Sequence, residues 1–348
     1  MQEHTGFSGA SRTIIIFAAF VVVVAGIKTA ESLMVTFLLS GFFAIICAPP
    51  FMFMLRKGVP DWASLIIVVI GITAIQFLFI TIIASSIADF SRDIPLYQER
   101  LQQLFVSFTT TLDSWGVAVP ESALQQHFDP GVILKMAANT LGSLGSVLSN
   151  SFMIILTVIF MLFEGASLPK KLQVAFGNDS QHMAHLSRFL DDVKSYMTIK
   201  SVISLITGFA IYIWLLIVGV DYALLWGVVA FLFNFVPNIG SIIAAIPAVL
   251  LALIQLGPLS AIFAGVGFLL ANIIMGNVVE PRFMGRGLGL STLVVFLSLV
   301  FWGWVMGPVG MLLSVPLTML MKIAFESSEE TKWIAIIMGP DIRDSSPE

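Results

Sequence analysis

The sequence predicts an all-α, polytopic membrane protein, and three observations carry that prediction. Of its 348 residues, 58% are hydrophobic and only 11% are charged, where a soluble domain carries roughly a quarter charged residues. Mean hydropathy is +0.99. The apolar residues also come in long unbroken runs near the ~20 residues a helix needs to cross a ~30 Å hydrocarbon core, and not in the ~10-residue alternating segments of a membrane barrel. The expected architecture has about six full transmembrane helices plus two broken, re-entrant helical hairpins. An extracytoplasmic helical insert and a cytoplasmic amphipathic helix complete it.

Eight hydrophobic segments follow in order: 13–30, 33–55, 62–88, 146–163, 201–219, 223–254, 259–279 and 291–323. The leading MQEHTGFSGASR lacks a basic n-region and a small-residue cleavage site, so the first segment reads as a retained span. Residues 1–88 form an N-terminal transmembrane unit. The polar stretch 89–145 repeats Tyr97, Leu101, Leu104, Phe105, Phe108, Leu112 and Trp115 at steps of three and four, the stripe of an amphipathic helix. After the fourth span at 146–163, residues 164–200 form a second amphipathic insert, with Leu186, Phe189, Leu190, Val193 and Met197, that runs straight into the fifth span. Residues 201–323 are the expected transport core and 324–348 a tail.

Orientation follows from the distribution of Lys and Arg. Arg56 and Lys57, then Lys170, Lys171, Arg188, Lys194 and Lys200, crowd the second loop and second insert, whereas the longer first insert holds Arg92, Arg100 and Lys135. The first insert is therefore expected outside, with both termini and 164–200 in the cytoplasm. Segments 223–254 and 291–323 are too long for a simple crossing. If each dips in and returns, bending near Pro237 to Gly240 and across Gly303 to Gly310, the basic residues Arg282, Arg286 and Lys322 stay cytoplasmic.

A broken span must repay its broken ladder. Proline lacks an N–H and clashes with the carbonyl four residues back, and irregular backbone at membrane depth persists only inside protein or beside a wet cavity. Transporters place substrate at such half-helix ends. Asn234, Pro237, Asn238, Gly240, Ser241 and, in the second hairpin, Ser314 are the candidate substrate-binding and transport residues, although small residues there also serve simple helix packing. A second cluster, Asn277, Glu280, Pro281, Arg282, Gly285 and Arg286, reads either as a gate or clamp or as an interfacial loop in which Glu280 pairs with an arginine.

Other chemistries find little support. The formal charge of −4 and scattered basic residues leave no nucleic-acid footprint. Cys47 is alone and reads as a core residue. His4, His127, His182 and His185 all fall in polar segments. Neither a zinc helix nor a phosphate-binding loop occurs, so no enzyme, metal or cofactor is expected. His182 and His185 have helical spacing but read as a solvated face.

The stretches SYMTIKSVISLITG, GVDYALLWGVVAFLFNFVPNIGSIIAAIPAVLLAL and NVVEPRFMGRGLGLSTLVVFLSLVFWGWVMGPVGMLLSVPLTMLMK resemble the autoinducer-2 exporter family, most of all its quorum-signal branch. The resemblance covers 13–323 and is strongest after residue 190. It implies a bacterial inner-membrane secondary transporter that exports autoinducer-2 or a related small polar signal by alternating access, assembled as a homo-oligomer in the bilayer. H⁺ or Na⁺ is the implied coupling ion. A sodium/proton antiporter is the alternative, weakened because no Asp or Glu falls at mid-depth in any predicted span, and a membrane scaffold without transport is a third.

Overall fold

The computed structural model describes residues 9–115, 151–176, 180–237, 239–284, 289–326 and 328–340. Among these every regular element is a helix. Asn238, Gly285, Arg286, His127 and the side chains of Phe105, Phe108, Leu112, His182, His185, Leu186, Phe189 and Leu190 lie outside the described residues.

Helix α1 (Gly9–Thr29) turns at Ala30 into α2 (Glu31–Arg56). Helix α3 (Asp61–Ser114) is 54 residues long, about 80 Å at 1.5 Å per residue. It does not stop at the third span: the amphipathic stripe of the first insert is the same rod carried beyond the apolar stretch, where Tyr97 is buried and Trp115 exposed. Helix α4 (Ser151–Phe176) likewise runs on past the fourth span, and α5 (Ser180–Val218) joins the second insert to the fifth without interruption. Among the described residues five helices are long and apolar enough to cross a membrane. Ile14, Phe17 and Val22 of α1 are each at least 60% exposed, an apolar surface that water would penalise and lipid would not.

Segment 223–254 is broken at Pro237, as expected there. It forms α6 (Ala223–Phe233) and α7 (Gly240–Leu256), joined by the tip 234–239. The chain doubles back on itself, for at the base the Asp221 N–H donates to Gln255 Oε1 (2.9 Å). Helix α8 (Pro258–Ala271) then returns along α7, continues as a π-helical stretch (Asn272–Val279), and ends in α9 (Glu280–Met284).

A second hairpin is α10 (Thr292–Glu326), whose helical path is interrupted at Met306 and at Gly307, where φ is +60°. Only glycine adopts that angle without strain. Its two ends also meet, since Lys322 Nζ donates to the Gly289 carbonyl (2.8 Å). Helix α11 (Lys332–Ile337) closes the described chain, and Ser291 N–H donates to Met338 O (2.9 Å).

The two hairpins are closed by one local device. A Cβ on Gly240 would lie 1.8 Å from the Phe233 carbonyl oxygen, and one on Gly310 would lie 1.9 Å from that of Trp302. In both, the returning arm packs its first turn directly on the carbonyl end of the outgoing arm. Nothing larger than a hydrogen fits. Gly240→Ala or Gly310→Ala should therefore push the arms apart at a cost of about 2 kcal/mol or more, read as a lowered unfolding temperature of the detergent-solubilised protein, whereas Gly26→Ala, with open space around it, should leave that temperature unchanged.

Candidate functional site

The tip of the first hairpin lies halfway along its neighbours. Helix α6 has 11 residues, about 16 Å of rise and so roughly half a hydrocarbon core. Its end meets the middle of two long helices. Asn234 Nδ2 donates to Ser204 Oγ (2.9 Å) near the centre of the apolar stretch Asp191–Val218, and the Phe235 ring meets the Phe42 ring edge-on, 5.6 Å between centres, near the centre of α2. Tight turns satisfy most of the tip backbone: Val236 N–H donates to Phe233 O (2.9 Å) and Gly240 N–H to Val236 O (3.2 Å).

One turn before Ser204, Lys200 is buried, its side chain 4% exposed, and its Nζ contacts both oxygens of Glu280 at 2.7 and 2.8 Å. Of the two readings of this cluster, the interfacial loop in which Glu280 pairs with an arginine gives way on the partner: Glu280, near the end of the apolar stretch Pro258–Phe283, pairs with Lys200. The helix runs on through Met284, and Glu280 points into the bundle. The physical reason is the π-helical stretch before it. Hydrogen bonds from i to i+5 put extra backbone into each turn, so whatever follows is rotated relative to the α-helical face behind. Burial of so strong a donor as an ammonium is tolerable only with a paired charge. Asn277, Pro281 and Arg282, expected in the same clamp, are exposed.

The other candidates distribute differently. Pro237 belongs to the tip, Gly240 opens α7, and Ser241 sits half-buried in the first turn of that helix. Pro247, also expected to free backbone groups, lies within an α7 that continues to Leu256. Ser314 is fully buried inside the second hairpin, where its hydroxyl donates to Met311 O (2.8 Å). Its carbonyl accepts from Thr318 Oγ1 (2.7 Å), which in turn accepts from Trp302 Nε1–H (3.1 Å). That chain ties the two arms together.

The tip of the second hairpin reaches the α1–α2 turn. Lys28 Nζ donates to the Trp304 carbonyl (3.2 Å) and lies 4.0 Å from the Trp304 ring centre, a cation at the carbonyl end of the outgoing arm. Glu31 Oε1 lies 3.5 Å from where a Gly307 Cβ would stand, an anion at the amide end of the returning arm. Both charges oppose the half-helix dipoles favourably. The bases of the two hairpins thus sit at opposite ends of the bundle, one beside the end of α5 and the other beside 289 and 322.

Lys200 and Ser204 were not singled out from the sequence. Their signal was there: Lys200, Ser204 and Thr207 repeat at steps of four and three, a polar stripe down an otherwise apolar span. The assembled seam of Lys200, Ser204, Asn234 and Glu280 offers hydrogen-bond donors, acceptors and a compensated charge pair beside irregular backbone. Such a place can exchange partners with a polar solute at little net desolvation cost. Among the described residues no cluster of metal-binding side chains occurs.

The model of the AI-2E family transporters matches residues 15–330. A Haemophilus influenzae protein named for a transport role is 40% identical over 339 residues, 96% of this chain and 97% of that one. The AI-2 transport protein TqsA of Escherichia coli K12 is 38% identical over 328 residues, covering 94% and 95%. YhhT of the same strain is 36% identical over 323 residues, 93% of each chain.

The ion pair yields a test of its own. Lys200→Met or Glu280→Gln alone strands a buried charge and should destabilise by about 3 kcal/mol or more, while the double change Lys200→Met with Glu280→Leu should recover most of it. A thermal-unfolding double-mutant cycle in detergent reads the difference.

Proposed function

This chain belongs to the AI-2E transporter family, and from that premise we propose that it is a secondary transporter exporting a small polar signal, autoinducer-2 or a close relative of it. The single observation that carries the reading is the half-depth hairpin tip with its buried polar seam, Asn234–Ser204 beside Lys200–Glu280. Irregular backbone and paired polar groups at the centre of a membrane bundle are expensive to keep, and a solute path is what repays them. The relative TqsA, named as an AI-2 transport protein, supplies the substrate class.

In this proposal the protein sits in the bacterial inner membrane with both termini cytoplasmic, so the base of the first hairpin faces outward and that of the second inward. Access alternates around the broken helices. When either hairpin shifts along its neighbours, the seam opens to one end of the bundle or the other. Transport draws on a gradient of H⁺ or Na⁺, and the exposed apolar faces meet lipid and other copies of the chain.

A second reading is favoured by one observation. Glu280, near the end of the apolar stretch Pro258–Phe283, turns its carboxylate to the buried Lys200, and a carboxylate facing the bundle is what a cation/proton antiporter requires.

Two assays separate these readings. Asn234→Ala should lower efflux of labelled autoinducer-2 by about tenfold, the worth of one or two hydrogen bonds, with expression unchanged; wild-type efflux in that variant would remove the seam from the path. A sodium-driven pH change in everted vesicles that disappears in Glu280→Gln would establish the antiporter instead.

A further inference from the structure

Gln76 sits on the buried face of α3, 5% exposed, and neither its Nε2 nor its Oε1 has a hydrogen-bond partner. Buried amides are almost always bonded, so an orphan of this kind calls for a reason. The residues around it in the stripe, Leu65, Val68, Ile72 and Ile83, are buried and apolar. A leucine would have served packing better.

Its level in the bundle follows from pairings along α3 and the first hairpin. Tyr97 Oη donates to Asp221 Oδ2 (3.0 Å) and Tyr222 Oη donates to Asp93 Oδ2. Phe90 meets Trp226 at 5.7 Å between rings, and Phe79 meets Phe231 at 5.6 Å. Going down α3 is going down α6 to the tip. Gln76, one turn beyond Phe79, therefore falls level with Asn234, and Ile72, the next turn, shares a packed cluster with Phe235. On the other flank, the buried Ser201 hydroxyl also lacks a partner, one turn beyond the Ser204 that holds Asn234. Two orphaned polar groups thus stand at the level of the tip, contributed by two different helices.

We propose that Gln76 is a solute-contacting, specificity-determining residue, whose side-chain amide hydrogen-bonds an uncharged solute bearing hydroxyl or carbonyl groups at the tip of the first hairpin. A neutral amide offers two donors and an acceptor, which suits a hydroxyl–carbonyl pair and gives a cation or an anion no counter-charge. A site that buries such a group discriminates strongly against analogues that cannot bond it, because the amide is then left unpaired again. The proposal rests on the transport reading above and deepens it, since Gln76 is outside the seam already described.

The test uses the full chain reconstituted in liposomes, with isotopically labelled autoinducer-2 as the probe, comparing wild type with Gln76→Leu and, should leucine's branched end not pack, with Gln76→Met. The unfolding temperature is expected to hold or rise, since an orphaned amide is replaced by an apolar group of similar size, while KM for the probe rises at least tenfold. Wild-type KM in a folded variant would overturn the assignment to Gln76 alone, leaving the amide to house a trapped water or nothing. A wild-type protein that neither binds nor moves the probe would overturn the transport reading for this solute and the assignment with it.

Discussion

Lipid offers a backbone amide no partner, so wherever a helix of this protein stops inside the bundle the protein must close the end itself. Both interruptions obey that demand in the same way. In each the outgoing arm ends and a glycine lets the returning arm settle on the carbonyl end at a distance no side chain would allow, and in the first a tight turn also uses up the last carbonyls. Two lengths of reach result. The first hairpin stops at the centre of its neighbours, and the second runs to the α1–α2 turn, where Lys28 and Glu31 face its two helix ends.

A hairpin tip surrounded by apolar side chains would be inert. The first one is instead lined with polar groups, because α5 presents Lys200 and Ser204 to it and the π-helical stretch before Glu280 turns a carboxylate inward to match the ammonium. Charge, donor and acceptor are brought to one depth by three elements that are far apart in sequence. Each is compensated by another, which keeps the seam affordable while leaving it able to change partners.

Rigidity comes from α3. Beyond the third span it continues as one rod that pins the base of the first hairpin through Tyr97–Asp221 and Tyr222–Asp93, around the fully buried Phe90. The same helix carries Gln76 down to the level of the tip. Close approach elsewhere is set by small residues: Gly208 and Gly227 bring α5 against α6, and Gly267 leaves room for the Trp214 ring, whose N–H donates to Phe263 O (2.8 Å).

How much was legible follows from where each signal resides. Apolar run length located the spans, and the clusters at Pro237 to Gly240 and Gly303 to Gly310 marked both breaks, because lipid thickness and the backbone limits of proline and glycine act on consecutive residues. The amphipathic stripe at Tyr97 was also legible, but its continuity with the span before it was not, since polarity changes at residue 89 while the backbone does not. The partner of Glu280 was not legible, because nearness in sequence offered only the arginines at 282 and 286 for the loop reading, whereas the helix that continues past 280 presents the carboxylate to α5.

The sequence by itself determined the solvent, the secondary structure and the two interruptions, since each depends on local composition and on the covalent limits of proline and glycine. Only the tertiary structure decided that Lys200 faces Glu280, that Ser204 holds Asn234, and that Gln76 is buried without a partner. Those facts depend on helix rotation and on which depth meets which. A single insertion into the hydrogen-bond ladder, such as the π-helical stretch, changes rotation without leaving a mark in hydropathy.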